Sequence, residues 1–381
     1  MKLEDIKSLF SKHKEGQLYG RYITNQDIEP LLNKLPKEAS VNVIGRSVQD
    51  NPIYSVQIGS GPKRILLWSQ MHGNESTTTK ALFDLLNSLL NGQSALKHLL
   101  ETCTLYIIPI LNPDGAAAYT RINANEVDLN RDAQNLTQPE SRVLRAVFND
   151  FKPHFCYNLH GQRTIFSAGA TNKSATVSFL TPAEDEACTI TAQRKVSMEV
   201  IAVMNAALQQ EIPNQVGVYD DAFNINCVGD TFQSEQVPTI LFESGHYHED
   251  YDREKTRELI YLSYIVSLNY IAKNDVTGAN YKAYLEIPEN DKLFLDIIIR
   301  NAKVEGELVD IGIQYQETLI DKKLEFVPKI LKIEKLDGIY GHKEIEANGN
   351  EVLNESGEAL EIDSENVLVR INGEKVLLKT K

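Results

Sequence analysis

Three apolar segments of the sequence end in side chains that can bind a metal ion or transfer a proton. His72 and Glu75 follow the segment RILLWSQ, His160 ends HFCYNLH, and Glu243 ends PTILFE. Two imidazoles and one carboxylate form the three-ligand set of a catalytic zinc site, which keeps a fourth position for water. A structural zinc site would need four protein ligands, often thiolates, and the four cysteines are scattered without a CxxC pair.

The elements that must position these residues follow an α/β pattern. The three segments are apolar runs typical of strands buried on both faces. Patterns with helical spacing lie between and after them, at 77–90, 140–151, 184–210 and 252–272. This alternation predicts an α/β fold with a mixed, mostly parallel sheet and helices on both faces. Ligands of open α/β sheets collect beyond the carboxyl ends of the strands, so the three segment ends are expected to converge.

Two further motifs lie between the predicted strands. Asn112-Pro-Asp-Gly115 follows the apolar run TLYIIPIL, and Asp128-Leu-Asn-Arg131 comes shortly afterwards. A His-x-x-Glu pair alone often arises by chance. Here it is followed along the chain by both motifs, then by a His at the end of a predicted strand, and then by a Glu at the end of another. Together these residues resemble the pattern of the zinc carboxypeptidase family, the carboxypeptidase A-like metallopeptidases. Within that family, the chain resembles a bacterial subgroup that has a C-terminal β domain. The resemblance covers roughly residues 40–272.

The resemblance implies a metal site with one Zn²⁺ per chain. His72, Glu75 and His160 would be its ligands. Asp128 would accept a hydrogen bond from His72 and thereby set the tautomer and orientation of that ring. His246 and His248 could also be ligands in principle, but their loop, HYHEDYD, is expected to be an exposed wall, which favours His160.

The resemblance also implies catalytic and substrate-binding residues. Glu243 would take a proton from the zinc-bound water and pass it to the leaving amine. Arg121 would stabilise the oxyanion, and Asn130 and Arg131 would bind the terminal carboxylate of the substrate. Tyr219 is the nearest counterpart of the family's mobile tyrosine.

The implied function is hydrolysis of the C-terminal amide bond of a peptide or a small amidated substrate with a free carboxylate. Two alternatives keep the fold and change the substrate: a murein-peptide amidase, or an N-acyl amino acid deacylase like aspartoacylase or succinylglutamate desuccinylase. At the position of Asn74, pancreatic-type members of the family carry an Arg that helps to bind the end of the substrate. This difference leaves undecided which end group the substrate carries. A non-catalytic peptide-binding module is a third alternative, but it would require a broken ligand or base, and none is broken.

Composition and charge exclude several classes of partner. The 381 residues include 39 basic and 53 acidic side chains, a net charge of −14, which argues against a nucleic-acid or anionic-membrane partner. The N-terminus lacks the pattern of a secretory signal, and no apolar run is long enough to span a membrane, so a cytoplasmic chain is expected. The predicted domains are an N-terminal helical lead-in (1–39), a catalytic domain (40–280) and an acidic β domain (285–381).

Overall fold

The computed structural model describes residues 1–91 and 96–379. The chain divides into two compact units. Unit 1 consists of Met1–Gln162 and Ala175–Asn290, and unit 2 consists of Arg163–Ser174 and Asp291–Lys381. The predicted domain boundaries stay predictions. In the structure, residues 1–39 belong to unit 1, whereas residues 163–174 belong to unit 2.

The helices lie mainly in unit 1. In chain order they are α1 (Leu3–His13), α2 (Asn25–Leu32), α3 (Thr77–Leu90), α4 (Lys97–Thr102), α5 (Pro113–Ala118), α6 (Pro139–Phe151), α7 (Ala192–Leu208), α8 (Val228–Ser234) and α9 (Glu254–Lys273). Two 3₁₀ helices span Leu129–Arg131 and Tyr281–Glu286. Among residues 1–91 and 96–379, we find no helix whose length and apolar character would allow it to cross a membrane.

The strands belong to both units. In chain order they are β1 (Ser40–Arg46), β2 (Pro52–Ile58), β3 (Lys63–Ser69), β4 (Cys103–Ile108), β5 (Phe155–Gly161), β6 (Ser167–Ala168), β7 (Val177–Leu180), β8 (Val216–Val218), β9 (Thr239–Ser244), β10 (Asn290–Asp291), β11 (Phe294–Val304), β12 (Glu307–Ile320), β13 (Lys323–Glu334), β14 (Tyr340–Glu346), β15 (Val352–Asn354), β16 (Leu368–Ile371) and β17 (Glu374–Leu377).

The sheet of unit 1 has the strand order β1-β2-β4-β3-β5-β9-β7-β8. Its centre is parallel, because β3 pairs in parallel with β4 and β5, and β5 pairs in parallel with β9. The β1-β2-β4 side is antiparallel, and β7 runs antiparallel to β9. This architecture confirms the predicted α/β fold with a mixed, mostly parallel sheet.

Helices cover both faces of this sheet. Successive residues of a strand point to opposite faces, and β5 shows this alternation directly. Tyr157 and Leu159 belong to the larger core, which includes buried residues of α3, α7 and α9. Cys156 belongs to the second core, together with buried residues of α6 and α8. Asn158 and His160 therefore project from the same face as Cys156.

One predicted helix is shorter in the structure than in the sequence pattern. The pattern predicted a helix over 184–210, whereas α7 begins only at Ala192. The side chain of Thr191 accepts a hydrogen bond from the backbone N–H of Arg194. A threonine in this role satisfies a free N–H at a helix start, so it defines where α7 begins.

Unit 2 consists largely of antiparallel β-structure. One sheet has the order β13-β12-β11-β14 and another has the order β15-β16-β17. Their core is rich in β-branched residues, including Ile297, Ile299, Ile311 and Ile313. These sheets agree with the β-rich segment predicted after residue 285.

Candidate active site

The donor atoms of His72, Glu75 and His160 meet at the carboxyl ends of β3 and β5. Nδ1 of His72 lies 2.9 Å from Oε1 of Glu75, and Nδ1 of His160 lies 2.9 Å from Oε2 of the same carboxylate. The two Nδ1 atoms are 3.0 Å apart. Both rings are almost completely buried, with exposures of 1% for His72 and 2% for His160.

A hydrogen bond orients the first of these rings. Nε2 of His72 lies 3.1 Å from Oδ1 of Asp128, on the side of the ring opposite Glu75. An N–H at Nε2 that donates to Asp128 leaves the Nδ1 lone pair directed toward Glu75 and His160. A carboxylate that holds the second ring nitrogen in this way is typical of metal-binding histidines.

The three donors fit a zinc ion. Their ligand atoms all lie within 4.8 Å of one another, as the atoms around one ion must. Imidazole nitrogens and a carboxylate are zinc ligands, and three of them make a catalytic rather than a structural set. Electron-rich atoms this close repel one another unless a proton or a cation lies between them. The guanidinium of Arg121 also approaches the donors, with Nη1 3.2 Å from Nδ1 of His72.

The charges of the site alter the pKa of its acidic groups. Burial acts to raise the pKa of the Glu75 carboxyl, but the positive charge that His72 carries when both of its nitrogens are protonated, together with hydrogen bonds from both histidines, outweighs burial and lowers it. Asp128 behaves similarly, because its hydrogen bond from His72 and the charges of His72 and Arg121 overcome burial and lower its pKa. Both groups are therefore held as carboxylates, the form that accepts hydrogen bonds and binds cations.

A close contact between two glycines holds the loop that carries His72 and Glu75. A Cβ atom on Gly73 would lie only 1.9 Å from the backbone carbon of Gly115, so only glycine fits there. The side chain of Asn112 accepts a hydrogen bond from the N–H of Gly115 and donates to the carbonyls of Met71 and Ile122. The Asn-Pro-Asp-Gly motif thus joins the end of β3 to the segment before Arg121.

Glu243 lies beside His160. Parallel β5 and β9 pair these two residues directly, so their side chains leave the same face of the sheet at neighbouring positions. Burial, and then the negative charge of Glu75, raise the pKa of the Glu243 carboxyl well above its usual value, although Arg121 and Arg253 oppose this. One of its carboxylate oxygens is buried and has no hydrogen-bond partner among the described residues.

Arg121 lies at the open side of the site. Its side chain is 47% exposed and forms an ion pair with Asp128, with Nη2 3.0 Å from Oδ2. Nη1 lies 3.5 Å from Oε1 of Glu75. The guanidinium is therefore adjacent to the predicted ligands, while about half of the side chain is exposed to solvent.

Asn130 and Arg131 lie on the 3₁₀ helix that follows Asp128. The N–H of Asn130 donates to Asp128, and its side-chain oxygen accepts a hydrogen bond of 3.1 Å from the N–H of Val228. Arg131 is exposed, and Nη1 donates to the carbonyl of Asn130. The Asp-Leu-Asn-Arg motif thus connects His72, through its contact with Asp128, to the first turn of α8.

Tyr219 follows β8 directly. Burial, and then the negative charges of Glu243 and Glu75, raise the pKa of its hydroxyl above the ordinary value. The tyrosine is thus close enough to the site for the charges of Glu243 and Glu75 to act on its hydroxyl. Its N–H donates to the carbonyl of Phe179 at 3.0 Å, which attaches its backbone to the end of β7.

The loop after β9, which the sequence predicted to be an exposed wall, is only partly exposed. His248 is exposed, but His246 is buried at 1% and its ring lies 4.6 Å from that of Tyr251. The reason is that Thr176 holds the loop against the sheet: its carbonyl accepts from the N–H of Gly245, and its hydroxyl donates to the carbonyl of His246.

Sequence reasoning missed Arg253. This residue is 1% exposed, and its guanidinium donates to the carbonyl of Ser244 at 2.6 Å and to that of Gln162 at 3.0 Å. It therefore joins the chain just after Glu243 to the chain just after His160. No motif marks this arginine, because its role arises only when β5 and β9 are adjacent.

Comparison with known proteins finds carboxypeptidases among the relatives of this chain. Carboxypeptidase SOL1 of Arabidopsis thaliana is 30% identical over 163 residues, which are 37% of this chain and 33% of that protein. Carboxypeptidase E of Caenorhabditis elegans is 30% identical over 153 residues, or 33% of this chain and 32% of that protein. The chain thus spans about a third of the length of these relatives.

A solved structure shares the fold. Carboxypeptidase A from Helicoverpa armigera superposes with a TM-score of 0.52 over 70% of this chain and 80% of its own, at 16% identity. The sequence model of the family described as "Zinc carboxypeptidase" matches residues 24–219, which include the three predicted ligands but end before Glu243. Because this match covers more than half of the chain, the chain belongs to the zinc carboxypeptidase family.

Proposed function

We propose that the chain is a zinc-dependent metallocarboxypeptidase that hydrolyses the C-terminal amide bond of peptides. One observation carries this proposal: two Nδ1 atoms and a carboxylate converge within 3.0 Å contacts, with Glu243 at the paired position beside His160. Three metal donors with an adjacent buried carboxylate supply both a binding site for the ion and a proton acceptor.

His72, Glu75 and His160 would hold the zinc, and Asp128 would keep the ring of His72 in place. A bound zinc supplies a Lewis acid that polarises the scissile carbonyl and acidifies water. The family membership supports this metal, as does the hydrogen bond from His72 to Asp128 at 3.1 Å.

Glu243 would carry protons during the reaction. It would take one from the attacking water and give it to the nitrogen of the departing amine, which requires both the ionised and the protonated form. The raised pKa of its carboxyl favours this double task, since a carboxylate of higher pKa is a stronger base. Arg121, which is partly exposed beside Glu75, would stabilise the developing oxyanion.

Asn130 and Arg131 would bind the carboxylate at the end of the substrate. A planar guanidinium matches a carboxylate with two parallel hydrogen bonds, and that of Arg131 is exposed and available for this contact. Tyr219 would close over the bound end of the peptide. The proposed substrate is therefore a peptide with a free C-terminus, as the family's name indicates.

Exposure of the zinc-loaded protein to a broad peptide mixture tests the proposal. We expect mass spectrometry to find peptides shortened by one C-terminal residue, with the matching free amino acids. C-terminally amidated versions of the same peptides serve as the control, and they should stay intact because they lack the carboxylate. Release of no amino acid from any peptide would overturn the proposal.

The same assay separates the alternatives. A γ-D-glutamyl-diaminopimelate peptide and an N-acyl amino acid, tested beside ordinary peptides, report a murein-peptide amidase or a deacylase. Metal analysis after zinc titration addresses a non-catalytic module. We expect one equivalent of zinc per chain, whereas well under one equivalent would favour the module.

A further inference from the structure

Gln70 lies between β3 and the proposed metal ligands, and it is completely buried. It follows β3 directly and precedes His72 by two residues, with an exposure of 0%. Its backbone has a φ of 44°, in the left-handed region that residues other than glycine rarely adopt. Such a conformation persists only where the surrounding structure holds it. The contacts of Gln70 therefore also fix the direction in which the chain enters the ligand loop, residues 72–75.

The side-chain amide of Gln70 uses its nitrogen and its oxygen in hydrogen bonds. Nε2 donates to the carbonyl of Gly73, inside the ligand loop, at 2.8 Å and to the carbonyl of Ile23 at 3.0 Å. Oε1 accepts a hydrogen bond of 2.8 Å from the hydroxyl of Thr79 in α3. A carboxylate or an apolar side chain of this size would lack the two N–H donors. One side chain thus joins the ligand loop, α3 and the segment before α2.

Ser76 makes a second connection of the same kind. It follows Glu75 directly, is 2% exposed, and its hydroxyl donates to the carbonyl of Arg21 at 2.6 Å. Residues 70 and 76 therefore lie on either side of the ligand loop, and both donate to carbonyls of one short segment. Both carbonyls precede residue 24, where the match to the family begins, so this support comes from outside the matched part of the chain.

The N-terminal segment, residues 15–23, is itself held in place. The guanidinium of Arg257 in α9 donates to the carbonyls of Glu15 and Leu18 at 2.8 and 2.6 Å. At the other end of the segment, Ile23 is 3% exposed and belongs to the larger core. Because both ends of the segment are anchored, its carbonyls can hold the ligand loop in one position.

We propose that Gln70 is a positioning residue for the metal site, and that through it the N-terminal segment forms part of that site. This inference rests on the proposed function, because it concerns the residues proposed to hold zinc. Without the two N–H donors of Gln70, the ligand loop would no longer be bonded to the N-terminal segment at this point. The ion would then have to order His72 and Glu75 as it binds, and that cost weakens binding.

Gln70→Met tests the inference through zinc affinity. Methionine is similar in length and volume to glutamine but donates no hydrogen bond. Competition with a chelating dye should show zinc binding weakened by roughly 10- to 100-fold, the usual effect of removing groups that orient metal ligands. Ser76→Ala removes only the hydrogen bond to Arg21, so it should weaken zinc binding in the same direction by a smaller factor.

Gln233→Met is the matched control. Gln233 is 0% exposed, its Nε2 donates to Glu184 at 3.1 Å, and its Oε1 accepts from the N–H of Thr239 at 2.9 Å. Thr239 is the first residue of β9, at the end of that strand away from Glu243. The control breaks comparable hydrogen bonds within unit 1 but away from the ligand loop, so zinc affinity should stay unchanged. Equal zinc affinity in Gln70→Met and Gln233→Met would overturn the inference.

Hydrogen exchange of the unaltered protein tests the same connection without a substitution. Coupling between two parts of a protein is reciprocal, so an ion that orders the ligand loop should also order the segment bonded to it. We expect zinc to slow amide exchange in peptides that cover the ligand loop and in peptides that cover the N-terminal segment. Gln70→Met should abolish the second effect. Slower exchange in the ligand loop alone, in the unaltered protein, would overturn the inference.

These measurements need no turnover, so they separate the inference from the proposed function. If the protein binds zinc but cleaves no peptide, the proposed function fails, while the zinc affinity of Gln70→Met still decides the role of Gln70. If the unaltered protein binds no zinc, the proposed function and the inference both fail.

Discussion

The two ring nitrogens of His72 have different surroundings, and this difference determines the chemistry of the site. Nε2 faces Asp128 at 3.1 Å, while Nδ1 faces Glu75 and His160. A neutral imidazole carries one proton, so the carboxylate on one side leaves a lone pair on the other. The pairing of His160 with Glu243 then puts a proton acceptor next to the donors.

Replacement of Glu243 tests the proton transfer. Glu243→Gln should lower turnover by roughly 10²–10⁴-fold or more while zinc stays bound, because a positioned base is lost and no ligand is removed. In the unaltered protein, kcat/KM should fall as the pH drops through the raised pKa of Glu243, since the base acts in its ionised form. Retained turnover in Glu243→Gln would remove this residue from the mechanism.

Replacement of Asp128 tests the orientation of His72. Asp128→Ala should weaken zinc binding by about 10- to 100-fold, the usual effect of losing the partner of a ligating histidine. Competition with a chelating dye measures this affinity. Asp185→Ala is the control, since Asp185 accepts a hydrogen bond from the N–H of Thr189 at the surface and is not among the predicted site residues. Equal zinc affinity in both variants would contradict the role of Asp128.

At the scale of secondary structure, short contacts between elements hold the site in shape. Gly73 and Gly115 bring the end of β3 against the start of α5, and no larger residue fits at Gly73. Arg253, just before α9, donates hydrogen bonds to the carbonyl of Gln162, just after β5, and to that of Ser244, the last residue of β9. These contacts position residues that are far apart in the chain.

Arg253 should affect turnover more than substrate binding. Arg253→Ala removes both hydrogen bonds to the strand ends, and displacement of reacting groups by about 1 Å costs up to roughly 100-fold in rate. We expect kcat to fall by roughly 10- to 100-fold with little change in KM, and Arg253→Lys to restore part of it. Arg145→Ala, which breaks an ion pair with Glu235, is the control. A fall in kcat no larger than that of the control would refute this positioning role.

Asp230, in the first turn of α8, should make stability depend on pH. Burial raises the pKa of its carboxyl from 3.8 to about 6, although hydrogen bonds from backbone N–H groups oppose this. The folded state then binds the proton more tightly than the unfolded state, so stability is lost as the pH rises from about 4 to above 6. The loss is on the order of 3 kcal/mol.

Urea unfolding of Asp230→Asn at pH 4.5 and pH 7.5 measures this contribution. The variant should gain stability relative to the unaltered protein at the higher pH and much less at the lower one. An equal difference at the two pH values would show that the carboxyl does not titrate in this range.

At the scale of the whole molecule, every predicted site residue lies in unit 1. The N-terminal segment of that unit is joined to its core by a buried ion pair. Arg257 of α9 contacts Asp84 of α3 through two hydrogen bonds of 2.6 Å, and both side chains are fully buried. The same guanidinium donates to the carbonyls of Glu15 and Leu18.

Removal of this arginine should destabilise unit 1 strongly. Arg257→Ala leaves the carboxylate of Asp84 buried without an ion-pair partner, which costs roughly 3–5 kcal/mol in the free energy of unfolding. The double variant Asp84→Leu/Arg257→Met should recover much of this loss, because it removes both charges. Urea unfolding measures the two variants, and a double variant no more stable than the single one would contradict this reasoning.

The sequence alone determined the fold class and the candidate residues. Apolar runs that end in His, Asn or Glu predict buried parallel strands, and the carboxyl ends of such strands meet at one edge of a sheet. His72, Glu75, His160 and Glu243 could therefore be named without coordinates, and the structure brings the donor atoms of the first three within 4.8 Å of one another.

Only the tertiary structure decided how deeply those residues are buried and which groups they contact. Burial and hydrogen-bond partners depend on which strands and helices become neighbours, and no local pattern encodes this. The burial of His246, the contacts of Arg253 with two strand ends and the unpaired amide of Asn158 all arise from the adjacency of β5, β9 and β7. The late start of α7 at Ala192 is a partial exception, because the helix-start role of Thr191 is local and could have been recognised from sequence.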